Sequence, residues 1–383
     1  MAMATASARP DRWAIPTAEA VPAAAALMSR IYGDGPGVKP YSEYKGRYLW
    51  TDAHGVCVFV ALARETGDTA FLERAEALVA DVHLKLGSDR RGRPLGTPEA
   101  PLSGGLRIGK VHDEDHPDGD GQVSRVPGFH GGLQLKPWLY LSRSQYMHYL
   151  TKWAVALNRL ALARGCAEHN AAAVTLLKAA HRHFVWSTAG GALRMRWKMS
   201  VDLRRPAVLS EGNLDPFDCL ATYRLVQEHA PRDSPHTLHA EIADMEAIVR
   251  RKMPSWTSTD PLDLGEALQV AAWFPEEPWA RVLTDRSLGA LEALWQGGAF
   301  EEPQRLRLAF REFGTAIGVQ VNATAPKEWR TRVRQLLGGW KASLFSRDAD
   351  ITPIMYAASL LPGAFSRAYD AEPPMPGPGQ DVK

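Results

Sequence analysis

Four acidic residues stand near the beginnings of strongly apolar segments, where a carboxylate is unexpected. An ionisable side chain in an apolar helix is costly to bury unless it has a partner or faces a water-filled pocket. Two carboxylates facing each other across a pocket can act as general acid and general base, or as acid and nucleophile, in glycosidic cleavage. The candidate catalytic carboxylates are Asp52, Asp218, Glu266 and Glu312.

Helix capping is the competing explanation for acidic residues at such positions. Asp is an ordinary N-cap residue, and Asp215, Asp260 and Asp350 are well placed for that task. Asp218, Glu266 and Glu312 come after the expected caps, so capping explains them less well. Further polar residues gather at the same segment starts: Tyr149, Lys152, Asp263, Arg311 and Thr352.

Two histidines offer a different chemistry. His54 and His148 lie in the first turns of two of these segments. Imidazole titrates near neutral pH and can remove a proton next to a carbonyl group, as sugar epimerisation requires. A histidine inside a helix can equally well be structural. Dependence of activity on histidine, rather than on a carboxylate pair, would separate the two mechanisms.

Aromatic and basic residues near the same positions are candidate ligand contacts. Trp50 and Tyr149 could stack on a sugar ring or line an isoprenoid pocket. The chain has neither D-D-x-x-D nor D-x-D-D, which disfavours terpene cyclisation. Arg107, Lys110 and Arg311 could bind an anionic or polar group, although solvated surface cations are the alternative for Arg107 and Lys110.

The stretch SGGLRIGKV, residues 103–111, has the glycine and lysine spacing of a nucleotide-binding P-loop. A genuine P-loop follows a hydrophobic strand, opens a helix and carries Ser or Thr after the lysine to hold magnesium. Here Val111 follows Lys110, and neither flank has the required pattern. The spacing therefore does not predict a nucleotide site.

The acidic stretch HDEDHPDGD, residues 112–120, partly resembles a calcium-binding loop. The twelfth position counted from His116 is Pro127, where an EF-hand needs a bidentate Glu. A solvated acidic turn is the preferred interpretation. We predict no metal site, and no strong motif calls for a cofactor.

The elements that position these residues are helical almost throughout. Six segments are apolar nearly all round with a polar start, and each must be buried. Each adjoins an amphipathic helix with one apolar stripe, typical of an outer layer. The buried segments begin near residues 50, 145, 215, 260, 311 and 350. The amphipathic helices cover roughly 18–31, 69–86, 168–186, 236–252, 278–296 and 326–340.

This alternation predicts an all-α fold in which six parallel inner helices form a ring inside six outer helices. Residues 87–144 are left as a long insertion between the first two hairpins, expected to fold over one mouth of the ring. We expect a single domain over 13–366, followed by a disordered tail over 367–383 that is rich in Pro and Gly.

The hairpin count and the stretch YLWTDAHGVCVFVALARETGDTAFLERAEAL resemble the six-hairpin glycosidase-like superfamily of (α/α)6 toroids. The resemblance covers about 13–366 and is architectural, so no catalytic residue transfers by motif. It implies a fold shared by glycoside hydrolases, unsaturated-uronide hydrolases and polysaccharide lyases, with related toroids among sugar epimerases and terpene cyclases. Fold alone leaves the chemistry open.

Composition excludes several classes of protein. With 45 Lys and Arg against 43 Asp and Glu among 383 residues, no strong charge points to nucleic acid or an anionic membrane. The arginine-rich stretches at 194–198 and 203–206 are interpreted as solvated surface. Three widely spaced cysteines, no signal-peptide pattern and no apolar run of about 18 residues predict a cytoplasmic protein.

Together these patterns favour a carbohydrate-active enzyme, with hydrolysis of a small or uronic-acid-containing glycoside by paired carboxylates as the leading interpretation. A His-dependent sugar isomerase, epimerase or lyase is the first alternative. A non-catalytic toroid that binds a ligand or partner through residues 87–144 is the second. In that case the acids at the mouth would be paired internally rather than left around an open cavity.

Overall fold

A computed structural model of the chain describes residues 13–35, 46–89, 91–109, 144–231 and 236–375. The helices there are α1 (Thr17–Tyr32), α2 (Leu49–Thr66), α3 (Ala70–Leu86), α4 (Met147–Arg164), α5 (Ala167–Phe184), α6 (Asp215–Glu228), α7 (His239–Lys252), α8 (Pro261–Trp273), α9 (Pro278–Gln296), α10 (Ala309–Val321), α11 (Glu328–Trp340) and α12 (Thr352–Leu360). The strands are β1 (Ser144–Tyr146), β2 (Val185–Ser187), β3 (Leu193–Met195) and β4 (Lys198–Ser200).

The even-numbered helices form a closed inner ring. Each of α2, α4, α6, α8 and α10 packs against the next, and α12 returns to pack against α2. The odd-numbered helices lie outside: α3, α5, α7, α9 and α11 each pack on the inner helix that precedes them, and α1 packs on α12 and α2. The predicted all-α toroid of six hairpins is confirmed.

Burial follows the two sequence patterns. Every residue of α2 from Leu49 to Ala63 is buried, as an inner helix surrounded by neighbours requires. The outer helix α3 instead buries one stripe that includes Leu72, Leu78 and Val82. None of the helices in the described ranges is long and apolar enough to cross a membrane.

Three glycines allow α8 and α10 to pack backbone against backbone. A Cβ atom added to Gly265 would lie 2.2 Å from the carbonyl oxygen of Gly314, and one added to Gly318 would lie 1.9 Å from that of Gly265. A Cβ atom added to Gly314 would lie 2.4 Å from a methyl group of Leu262. This close approach fixes the position of the residue that follows Gly265, which is Glu266.

The described parts of the long insertion are residues 87–89, 91–109 and 144. Gln145 accepts from the Leu106 N–H at 2.9 Å and donates to the Gly104 carbonyl at 2.8 Å. Gly105 has a φ of +75°, and a Cβ atom there would collide with the Gln145 side chain. Gly105 therefore allows the chain to approach Gln145 closely, while Gly104 and Gly109, the two glycines of the P-loop-like spacing, lie against the backbone carbonyls of Leu95 and Arg47. Residues 110–143, including Lys110 and the acidic stretch 112–120, lie outside the described residues.

The connection between α5 and α6 corrects one expectation. The stretch 194–198 is not merely solvated surface, because Met195 is fully buried and Lys198 is only 2% exposed. Strands β2 and β3 pair antiparallel, and β4 pairs antiparallel with β1, which directly precedes α4. These short sheets bring the connection beside the start of α4.

The tail predicted from residue 367 also needs correction. Tyr369 donates a hydrogen bond to Glu65 at 2.7 Å, Asp370 pairs with the buried Arg159, and the Met375 N–H donates to the Ala163 carbonyl at 2.8 Å. Residues 367–375 therefore pack against α2 and α4. Residues 376–383 lie outside the described part of the chain.

Candidate active site

A cavity of about 420 Å³ opens where the first turns of four inner helices converge. Residues of α2, α4, α6 and α8, and of the connection between α5 and α6, form the walls of this cavity. Its polar and aromatic lining is what a small polar ligand requires. The lining residues are Trp50, His148, Trp197, Glu211, Gly212, Asn213, Leu214, Asp215, Asp218, Leu262, Asp263 and Glu266.

A buried lysine joins two of the predicted carboxylates. Lys152 Nζ lies 3.1 Å from Asp218 Oδ1 and 3.5 Å from Glu266 Oε2. Thr151 donates a second, short hydrogen bond to Asp218. Burial lowers the pKa of Lys152, but the charges of Asp218 and Glu266 outweigh this and raise it, so the ammonium is retained. The structure thus brings together Asp218 and Glu266, two of the four candidate carboxylates, whose pairing the sequence left open.

Glu266 is the carboxyl that holds a proton most readily in this group. Burial raises its pKa to about 7, opposed by Lys152 and reinforced by the charge of Asp218. Asp218 has the shorter contact with the shared ammonium and the hydrogen bond from Thr151, while Glu266 has the longer contact. At a pKa of about 7, Glu266 holds a proton in roughly half of the molecules near neutral pH, and this protonated form is the one that acid catalysis uses.

His148 and Asp215 form a second pair on the same wall. His148 Nδ1 lies 3.2 Å from Asp215 Oδ1, and the imidazole is 28% exposed. Burial lowers the pKa of His148, but the hydrogen bond and charge of Asp215, with the charge of Glu266, outweigh this and raise it. A carboxylate behind the ring orients the imidazole, leaving its second nitrogen available for proton transfer.

The capping interpretation holds for one of its three residues. Asp260 accepts a hydrogen bond from the Leu262 N–H at 2.8 Å and caps α8. Asp215 instead contacts His148, and the caps of α6 and α12 are Leu214 and Ile351, without side-chain hydrogen bonds. For Asp215 and Asp350, the capping prediction is wrong.

Two aromatic side chains line the cavity. Trp50 donates from Nε1 to the sulfur of Met355 at 3.3 Å, which fixes its ring. Trp197 donates to Ser210 at 3.0 Å and stacks on His148 with ring centres 6.4 Å apart. Such flat faces suit the apolar faces of sugar rings.

Asp52 and Glu312, predicted as catalytic, are held elsewhere in the fold. Asp52 lies 3.4 Å from Arg47 and accepts a hydrogen bond from Tyr32 of the outer ring at 3.2 Å. Burial raises its pKa to about 6, against the opposing charge of Arg47. Glu312 accepts two hydrogen bonds from Arg307, at 2.7 and 2.6 Å, and one from Trp340 at 2.8 Å. Neither carboxyl lines the cavity.

His54 and Tyr149 lie behind the cavity wall. His54 is stacked between Trp50 and Phe365, and burial lowers its pKa to about 4, so it stays neutral. Tyr149 shares a hydrogen bond of 2.7 Å with Tyr48 and packs edge-on against Trp50. Both residues support the Trp50 ring rather than line the cavity.

The basic residues predicted as ligand contacts have other contacts where they are described. Arg107 donates to the backbone carbonyls of Ser88 and Lys85 at the end of α3, at 2.6 and 2.9 Å. Arg311 forms a short ion pair with Asp260. Neither lines the cavity.

Sequence reasoning missed the contribution of the connection before α6. Trp197, Glu211 and Asn213 come from this segment, which has no helical periodicity. Trp197 stands in an arginine-rich stretch that looked like exposed surface. A usable signal did exist in DPFD and DLGE, where acids three residues apart lie on one face of α6 and of α8.

No group of three or more His, Cys, Asp or Glu side chains suited to a metal ion occurs in the described ranges. Asp218 and Glu266 contact Lys152, and Asp215 contacts His148. These carboxyl and imidazole groups are suited to acid–base chemistry.

No protein-family model and no curated protein sequence matches the chain. Among solved structures it is similar to a sugar epimerase from a ruminal bacterium, with a TM-score of 0.55 and 9% identity over 91% of this chain and 98% of that one. The GH76A α-1,6-mannanase from Salegentibacter sp. HEL1_6 has the same TM-score, identity and coverage. A D-mannose isomerase matches with a TM-score of 0.55 and 10% identity, over 90% of this chain and 96% of that one.

The chain shares the toroid fold of these solved structures. A TM-score of 0.55 over nearly the whole of both chains establishes the shared architecture. The resemblance predicted from the sequence is therefore confirmed at the level of fold. It transfers no catalytic residue, so the chemistry has to be argued from the cavity itself.

Proposed function

We propose that the protein is a carbohydrate-active enzyme whose cavity binds a saccharide and hydrolyses a glycosidic bond. The observation that carries this proposal is the carboxyl of Glu266, which lines the cavity and has its pKa raised to about 7. A carboxyl that holds its proton near neutral pH can donate it to the leaving oxygen of a glycoside. Toroids of this fold that act on sugars support the choice of substrate class.

A second carboxylate is required to activate water or to attack the sugar. We assign this role to Asp215, which lines the cavity on the neighbouring helix and is held by His148. Asp218 is a positioning residue in this proposal, because it holds the lysine that Glu266 shares. We leave uronic acids out of the proposed substrates, since the residues lining the cavity in the described ranges include neither Lys nor Arg.

The experiment is to incubate the protein with a panel of oligosaccharides and follow new reducing ends by NMR, which also gives their anomeric configuration. Glu266→Gln should lower kcat/KM by at least about 100-fold, the usual contribution of a general acid. Glu312→Gln is the matched control, because that buried carboxylate is outside the cavity. Equal activity of the two variants would contradict the assignment of Glu266, and absence of any saccharide binding would contradict the function.

Sugar isomerisation or epimerisation is the second candidate, favoured by the position and raised pKa of His148. In that reaction the imidazole would remove a proton next to the carbonyl of an open-chain sugar. Deuterium from D₂O would then enter the product, and His148→Asn would abolish its entry. Hydrolysis leaves the carbon-bound hydrogens unlabelled, so one NMR experiment distinguishes the two reactions.

We place the protein in the cytoplasm as part of the same proposal. Cys57, Cys166 and Cys219 are free thiols, and two of them are buried, which suits a reducing compartment. Binding of saccharides without turnover would instead favour the non-catalytic toroid.

A further inference from the structure

The charges around the cavity are unequally distributed. Five carboxyl groups line it, against one basic side chain, His148. A cavity with walls of one charge concentrates ligands of the opposite charge. The carboxyls are Glu211, Asp215, Asp218, Asp263 and Glu266.

Four of these five carboxyls have a basic partner in the fold. Glu211 contacts Arg194 at 2.7 Å and Arg251 at 2.6 Å. Asp218 and Glu266 share Lys152. Asp215 contacts His148. For these four, the fold itself supplies the compensating charge.

Asp263 is the exception. Its Oδ2 accepts a hydrogen bond from Ser258 at 3.1 Å, and among the described residues no Lys, Arg or His lies within ion-pair distance of it. The charges of Asp260 and Asp215 disfavour its ionised form, while the charge of His148 opposes them. Asp260 is itself paired with Arg311.

The position of Asp263 suits contact with a ligand. It precedes Glu266 by three residues on α8, so both side chains lie on the same face of the helix and both line the cavity. Burial and the Asp260 charge raise the pKa of Asp263, which reflects a carboxylate short of positive charge. The rings of Trp50 and Trp197 on the cavity wall also attract cations.

We propose that the substrate is an amino sugar with a free, protonated amino group, and that this ammonium group pairs with Asp263. The inference rests on the proposed function, because it names the substrate class of the same cavity. An ammonium donor and a carboxylate without a basic partner form a strong, charge-assisted hydrogen bond. An N-acetylated sugar lacks the charge, and a uronate would bring a further carboxylate into a cavity already lined by five carboxyl groups of the described residues.

The test measures affinity with matched ligands. Isothermal titration with Glu266→Gln, which blocks turnover, compares glucose, mannose and galactose with their 2-amino, 2-acetamido and uronic acid forms at pH 6.5. We expect at least one amino sugar to bind about tenfold or more tightly than its parent hexose. Adding Asp263→Asn should remove that preference, so that the amino sugar binds no more tightly than its parent hexose. The control is the double variant Glu266→Gln with Glu211→Gln. It should still prefer the amino sugar over the hexose, because Arg194 and Arg251 already balance the charge of Glu211.

The outcomes separate this inference from the proposed function. If hexoses and amino sugars bind equally, or if a uronate binds best, the amino-sugar inference is overturned while saccharide binding stands. If Asp263→Asn keeps the preference, Asp263 is not the ammonium partner and the inference also fails. If none of the sugars, amino sugars included, binds, the proposed function itself fails.

Discussion

Glu266 and Asp218 share one ammonium group, that of Lys152, but their contacts with it are unequal. Asp218 has two strong donors, whereas Glu266 is left with the longer contact and a raised pKa. Without Lys152, two neighbouring buried carboxylates would repel each other, which favours a single proton held by the pair. The lysine thus tunes an acid rather than acting as a reactive group.

The first prediction concerns pH. A general acid acts only while protonated, and the pKa of Glu266 is about 7. We therefore expect kcat/KM for hydrolysis to fall about tenfold per pH unit above that value. The measurement is a pH profile from 5 to 9 for the natural protein and for Glu266→Gln. A decline of the same shape in both proteins would show that another group is responsible.

The second prediction concerns Lys152. Lys152→Met leaves two buried carboxyl groups without their cation, so we expect the free energy of unfolding to fall by about 3–5 kcal/mol. Lys85→Met is the matched control, because Lys85 pairs with Asp81 at 3.0 Å but is 45% exposed. That pair should contribute less than about 1 kcal/mol. Urea unfolding at pH 7 measures both, and equal losses would contradict the buried-cluster interpretation.

At the scale of the element, the sequence predicts which segments become inner helices but not how each is rotated. Since all residues from Leu49 to Ala63 are buried, periodicity cannot tell the cavity side of α2 from the outer side. Asp52 follows Trp50 by two residues, about 200° around the helix, and so points away from the cavity. Asp218 and Glu266 each follow another cavity carboxyl by three residues and share its face. The rotation of each inner helix about its own axis is set by packing against neighbouring helices. The sequence of one segment alone does not contain that information.

The third prediction tests the close contact between α8 and α10. Gly318→Ala would place a methyl group against the Gly265 backbone, so we expect a loss of about 1–3 kcal/mol in unfolding free energy. Activity should fall as well, because Glu266 follows Gly265 directly. Gly289→Ala, in the outer helix α9, has open space around its Cβ and should gain about 0.5–1 kcal/mol from helix propensity.

Thermal unfolding and kcat/KM of the two glycine variants form the measurement. Opposite signs of the stability change are expected, since one added methyl collides with backbone and the other does not. If both variants are stabilised, α8 and α10 are farther apart than described.

At the scale of the whole molecule, ring closure depends on residues far apart in the sequence. The last inner helix, α12, packs against the first, α2, and Thr51 of α2 donates a hydrogen bond to the Asp350 carbonyl just before α12. Counting hairpins predicts this closure, because six alternating pairs leave no other way to bury both faces of every inner helix. Composition did not predict that residues 367–375 pack against α2 and α4. Their few apolar side chains suggested a tail, yet Asp370 is the partner of a buried arginine.

The last prediction concerns that C-terminal segment. Arg159 on α4 is 2% exposed and forms a short ion pair with Asp370, while Tyr369 contacts Glu65 on α2. Ending the chain after residue 366 would leave Arg159 buried without this partner, and we expect a loss of about 3–5 kcal/mol in unfolding free energy. Ending it after residue 375 keeps every described contact, so the melting temperature should not change. Differential scanning calorimetry of the two truncated proteins and the full chain measures the three melting temperatures. If the protein that ends at residue 366 is as stable as the protein that ends at residue 375, the Arg159–Asp370 pair does not stabilise the packing of the C-terminal segment against the ring.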